Sequence, residues 1–104
     1  MIKKHTLYLG LNDKNTKHQE IDTVTAYKLA MQSIIAAGYE GASISECTGF
    51  YAHSDGQFTI EKSLRIEILF ANDRNTCELI KELKKIFNQE SIALQTETIE
   101  SKLV

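Results

Sequence analysis

An α+β sandwich in the order strand, helix, strand, strand, helix, strand is the fold this sequence predicts, and three observations predict it. Residues Ala42 to Phe70 form a long two-strand segment broken only by Ser54-Asp55-Gly56-Gln57, and Asp-Gly between alternating arms is the signal of a tight hairpin. A helical pattern of apolar residues lies on each side of that hairpin, and a further short strand pattern closes each end of the chain. Amphipathic helices in this βαββαβ order make a four-stranded antiparallel sheet with both helices on one face, the ferredoxin-like arrangement.

Each element has its own warrant. Leu7, Leu9 and Leu11 alternate with Tyr8 and Gly10 to give a first strand. The polar run Asn12 to Glu20 has neither periodicity nor apolar residues and reads as a loop, long by the usual standard. Asp22 or Thr23 offers an N-cap, and Val24, Tyr27, Met31, Ile34 and Ile35 follow at helical spacing up to a left-handed stop at Gly38. Gly41 to Ala52 reads as the second strand, in which Gly49 marks a bulge or a close backbone approach. On the return arm, Phe58, Ile60, Leu64, Ile66, Ile68 and Phe70 share one face, and Thr59, Glu61, Ser63, Arg65 and Glu67 the other. Asn75 with Glu78 resembles a capping box, and Thr76, Leu79, Ile80, Leu83, Ile86 and Phe87 form the stripe of a second helix. Ile92 and Leu94 begin a last strand running towards Thr98.

Composition narrows the function classes. The 104 residues suit one domain, 1–104, and 42% hydrophobic with 25% charged residues suits a globular core. A net charge of −2 gives no electrostatic reason to expect nucleic acid or an anionic membrane surface. The apolar runs fall far short of the roughly 20 residues that span a bilayer. Met1-Ile2-Lys3-Lys4-His5 leads into no apolar signal segment, so the expected location is the cytoplasm. Cys47 and Cys77 stand apart, without the CxxC spacing, and are expected as free thiols.

Two segments resemble a known superfamily. Gly41-Ala42-Ser43-Ile44-Ser45-Glu46-Cys47-Thr48-Gly49-Phe50 is similar to the second strand of PII-like signalling proteins, and Ser63 through Asp73 resembles their returning strand. The resemblance spans roughly residues 38 to 99. It implies a ferredoxin-like subunit, a homotrimer, and small ligands held in clefts between subunits. It departs from PII proteins themselves at the shortened hairpin, at Asn88-Gln89-Glu90-Ser91 in place of a glycine-rich segment, and at the C-terminus. The hairpin Tyr51 to Gln57 looks somewhat like that of CutA-type trimers, which implies divalent metals as an alternative.

The candidate site follows from loop chemistry and from this resemblance. Asn12, Lys14, Thr16 and Lys17 lie in a loop dense in hydrogen-bonding groups that leads to a helix N-terminus, where an anion is favoured. Tyr51, His53 and Asp55 cluster at the hairpin tip, where His53 is the one metal candidate and Asp-Gly is ordinary turn chemistry. Glu46, Arg65 and Glu67 are strand charges that either bind ligand in an intersubunit cleft or pair across strands, Glu46 with Arg65 or Lys62. No Ser-His-Asp, Cys-His, paired-carboxylate or HExxH arrangement can be built. The sequence-level expectation is therefore a non-enzymatic PII-like trimer of unspecified cofactor that binds a small ligand and presents the 51–61 hairpin to a protein partner. The alternatives are a metal-binding CutA-like trimer and a small enzyme using the ferredoxin-like cleft.

Overall fold

The computed structural model describes residues 2–104 as β1 (Ile2–Gly10), α1 (Thr23–Ala36), β2 (Ser43–Ala52), β3 (Phe58–Ala71), α2 (Asp73–Ile86) and β4 (Ala93–Ile99). The four strands form one antiparallel sheet in the order β2-β3-β1-β4, which is the ferredoxin-like topology. β1 is longer than Leu7 to Leu11 suggests, because Ile2, Lys3 and Lys4 pair with Ile99, Thr98 and Glu97 of β4. Among the described residues no helix is long and apolar enough to cross a membrane.

The sheet's helix-side face carries the core. Leu7 and Leu9 lie opposite Ile66 and Leu64, and these four with Ile68, Leu79 and Leu83 have no exposed surface. Each such side chain contributes on the order of 1.5–3 kcal/mol by leaving water. α2 buries Leu79 and Leu83 as its stripe predicts, but its N-cap is Asn72, whose side chain accepts the Asn75 N–H. The capping box expected at Asn75 is one turn too late; Asn75 is the residue that Asn72 caps.

α1 buries Ile34 and half-buries Tyr27 of the expected stripe, and otherwise turns different residues inward. Ala26, Ala30, Ser33 and Ile34 face inward, while Val24, Met31 and Ile35 are exposed. Both sets recur at helical spacing, and the small residues let the helix lie closer to its neighbours. Gly38 does adopt the left-handed conformation expected of it, with φ 103°.

A buried polar chain ties the two layers together. His5 Nδ1 lies 2.7 Å from Thr76 Oγ1, which lies 2.6 Å from the Tyr39 hydroxyl. That hydroxyl donates to the Asn72 carbonyl and accepts the Asn72 N–H. His5 Nε2 is 3.4 Å from the Asp73 carboxylate, whose other oxygen pairs with Lys3. Lys3 first, and His5 after it, hold the Asp73 carboxyl below the usual carboxylate range.

One irregularity and one overhang shape the hairpin arm. β2 and β3 pair without interruption from Ser43↔Glu67 to Ala52↔Phe58, and a Cβ on Gly49 would meet only ordinary contacts. Gly49 is thus neither a bulge nor a close approach. The irregularity sits further on, where Lys3 pairs with Ala71 but His5 with Ile68. The additional β3 residue is a β-bulge, and Phe70 beside it takes φ 55°, which removes Phe70 from the alternation that includes Ile66 and Ile68. At its other end the hairpin runs past its own helices, in a molecule 48 Å long and 25 by 22 Å across. Phe50, Phe58 and Ile60 keep the helix-side register but have nothing over them, and are about two-thirds exposed.

Candidate functional site

The cleft with the most convergent polar groups opens where the hairpin leaves the sheet, beyond the end of β1. It encloses about 540 Å³ and has three walls: Asn12, Asp13, Lys14 and Lys17 from the β1–α1 loop, Tyr51, His53, Thr59 and Glu61 from the hairpin, and Gln89, Glu90 and Ser91 from the α2–β4 loop. That volume is in the range of pockets that hold small molecules.

Glu61 sets a carboxylate of this cleft against the end of β1. Its Oε2 accepts the Asn12 N–H at 2.8 Å, and its carboxyl lies directly over Gly10. A Cβ on Gly10 would stand 2.6 Å from Cδ and from both oxygens of Glu61, so the close approach exists because residue 10 has no side chain. Oε1 has no hydrogen-bond partner among the described residues and is available to a ligand.

The β1–α1 loop is folded rather than loose. Asn12 bridges to Gln19, Asp13 N–H donates to the His18 carbonyl, and Lys17, at φ 65°, donates back to Asp13. The Asp13 carboxylate accepts from the Asn88 side chain at 3.0 Å and from the Asn15 and Thr16 amides at 2.7 and 3.1 Å. The Asn88 amide, and then the Thr16 and Asn15 amides, hold the Asp13 carboxyl below its ordinary 3.8. A carboxyl lowered in the folded state adds stability above its unfolded value and loses it as pH falls through the folded one. Amide-exchange protection of Asn15 and Thr16 is therefore expected to hold from neutrality down to about pH 4 and to decline below it; protection that instead fell between pH 7 and pH 5 would contradict this.

The sequence-derived candidates separate into groups. Asn12, Lys14, Lys17, Tyr51 and His53 meet at this cleft. Thr16, from the same loop, donates its hydroxyl to Glu20 and does not line it. His53 Nε2 bonds Thr59 Oγ1 at 2.5 Å and its ring packs edge-on against Tyr51. Among the described residues no three His, Cys, Asp or Glu side chains come together to hold a metal. Glu46 lies 3.7 Å from Lys62 across the hairpin. Arg65 and Lys4 both pair with Glu67, at 2.8 and 3.3 Å. Glu67 also borders a second cavity of about 630 Å³ at the far end of the sheet, with Tyr39, Phe70, Asn72 and Leu103. The start of α1 is not a free anion site, since Asp22 accepts the Thr25 N–H and hydroxyl. Asp13, Glu61 and Gln89 were not singled out from sequence. Gly10 at the end of a strand was the only local sign of Glu61, and it becomes informative only with the strand register.

No family model matches the chain, and no curated protein matches it. Solved structures do. A phage SAM lyase in complex with S-methyl-5'-thioadenosine superposes with a TM-score of 0.69 at 23% identity, covering 92% of this chain and 80% of that one. The periplasmic divalent cation tolerance protein CutA from Archaeoglobus fulgidus gives 0.56 at 13%, covering 96% and 85%. GlnK from B. subtilis gives 0.56 at 14%, covering 93% and 85%. The resemblance to PII and CutA proteins therefore holds as a shared ferredoxin-like fold. The expectation of a non-enzymatic protein does not survive: the same fold, over nearly the whole chain, is that of a lyase.

Proposed function

We propose that this protein is a small lyase that binds S-adenosylmethionine in the cleft beside Glu61 and releases S-methyl-5'-thioadenosine. The observation that carries the reading is the likeness, over 92% of the chain, to a SAM lyase holding that thioether. The cleft supports it. The free oxygen of Glu61 suits ribose hydroxyls or the substrate's ammonium group, and the exposed ring of Tyr51 offers a surface for adenine.

The chemistry also accommodates a sequence with no nucleophile–base pair. Thioether release breaks the bond from the sulfonium sulfur to the amino-acid chain, and its electron pair stays on sulfur. Atoms balance when the substrate's own carboxylate oxygen takes the freed carbon and closes a lactone, so neither water nor an oxidant is consumed. What such a step needs is a conformer with the reacting atoms about 3–3.5 Å apart. The side chains hold the substrate and do not react.

A second copy completes the cleft in this reading, in the trimer implied by the resemblance. Exposed Phe50, Phe58 and Ile60 on the hairpin are the support for self-association. The same hairpin is the surface on which a regulatory protein partner would act.

The test is direct. Purified protein incubated with S-adenosylmethionine is expected to release S-methyl-5'-thioadenosine over many turnovers, read by chromatography and mass spectrometry, and to run as a trimer in native mass spectrometry. Protein that neither binds the substrate nor releases the thioether would overturn the reading.

A further inference from the structure

The rim of the cleft is held by a residue that does not line it. α2 ends at Ile86, and Asn88 follows the Phe87 cap in the left-handed conformation at φ 48°, while Gln89 N–H closes the helix end onto the Lys84 carbonyl. Asparagine is accepted there, as glycine is. Asn88 also makes three contacts that capping does not require. Its side-chain amide lies 3.0 Å from each oxygen of Asp13, and its carbonyl accepts the Lys14 N–H at 3.0 Å. The next residue, Gln89, donates to the Asn12 carbonyl at 2.6 Å. Asn12, Asp13 and Lys14 form one wall of the cleft, and Asn12 is also the amide that holds Glu61.

We infer that Asn88 is a positioning residue: through Asp13 and Lys14 it fixes the β1–α1 loop, and so sets how the cleft grips its ligand. The inference rests on the lyase reading for the identity of that ligand.

Two variants separate this role from helix capping. Asn88→Gly keeps the left-handed cap and the carbonyl that accepts from Lys14, and removes only the bridge to Asp13. It is expected to melt within a few degrees of the wild type, to exchange the Asn15 and Thr16 amides faster, and to weaken binding of S-methyl-5'-thioadenosine by about tenfold. The reciprocal pair Asp13→Asn with Asn88→Asp lets the amide at 13 donate to the carboxylate at 88, and is expected to recover most of that loss. Unchanged exchange and affinity in Asn88→Gly, beside a wild type that binds, would overturn the inference alone. A wild type that does not bind the thioether would overturn the reading of the site, and with it any role of Asn88 towards this ligand.

Discussion

Gly10→Ala is expected to leave the protein folded and, on the lyase reading proposed above, to cut turnover of S-adenosylmethionine by about a hundredfold. The new methyl carbon would stand 2.6 Å from the carboxyl of Glu61, and that carboxyl is the far end of a flexible side chain, so it moves and the backbone does not. Alanine in a strand interior gains roughly 0.5–1 kcal/mol over glycine, and at Gly10, the last residue of β1, the gain is at the lower end of that range. Loss of the bond from Asn12 N–H costs about the same. Stability therefore stays within about 1 kcal/mol of the wild type, while Glu61 is displaced from the cleft, and misplacement of about 1 Å costs around two orders of magnitude in rate. Glu61→Gln is the companion variant: it keeps an oxygen for Asn12 and removes the charge. Thermal melts beside kcat/KM for both decide the matter. A Gly10→Ala protein of unchanged activity would show that Glu61 has no part in the chemistry.

Thr76→Val is expected to lower stability by about 2–3 kcal/mol, the cost of leaving buried polar groups short of partners. The swap conserves shape, so packing is preserved, but His5 Nδ1 loses its contact and the Tyr39 hydroxyl keeps only Asn72. In a domain of this size that is a fall of roughly 8–24 °C in Tm. Adding His5→Leu removes the stranded imidazole, and the double variant is expected to regain part of the loss, because two apolar partners are tolerated better than one orphaned polar group. A melt of Thr76→Val within about 2 °C of the wild type would mean that the chain from His5 to Asn72 contributes little net stability.

The alternation of Leu64, Ile66 and Ile68 made β3 readable from sequence, because period 2 on a buried face has no other interpretation. The same rule placed Phe58 and Ile60 on the right face but does not say whether a face is covered. Burial needs a helix above them, and helix length is not written in a strand. α1 misled in part for a related reason: it is apolar on more than one face, and although Ile34 is buried as expected, Val24, Met31 and Ile35 yielded to Ala26 and Ala30 through tertiary fit rather than hydrophobicity. The polar loop at Asn12 to Lys17 announced one of the cleft's three walls by composition. Glu61 did not announce itself, since it alternates as an ordinary solvent-side strand residue. Only the pairing of β1 with β3 brings it over Gly10.

Lys17, Phe70 and Asn88 share a left-handed backbone without being glycine. The conformation costs an ordinary residue roughly 1–2 kcal/mol. Glycine would remove that cost but would give back about 0.4–1 kcal/mol through a freer unfolded chain. The two terms are opposite in sign and leave a difference of roughly 0–1.6 kcal/mol, so protein stability acts only weakly at these three positions. Their identities are left to what the side chains meet: Asp13 for Asn88, the cleft for Lys17, and the far cavity for Phe70. Variation among descendants of this chain should accordingly follow changes in those neighbouring residues and cavities before it follows changes in growth temperature.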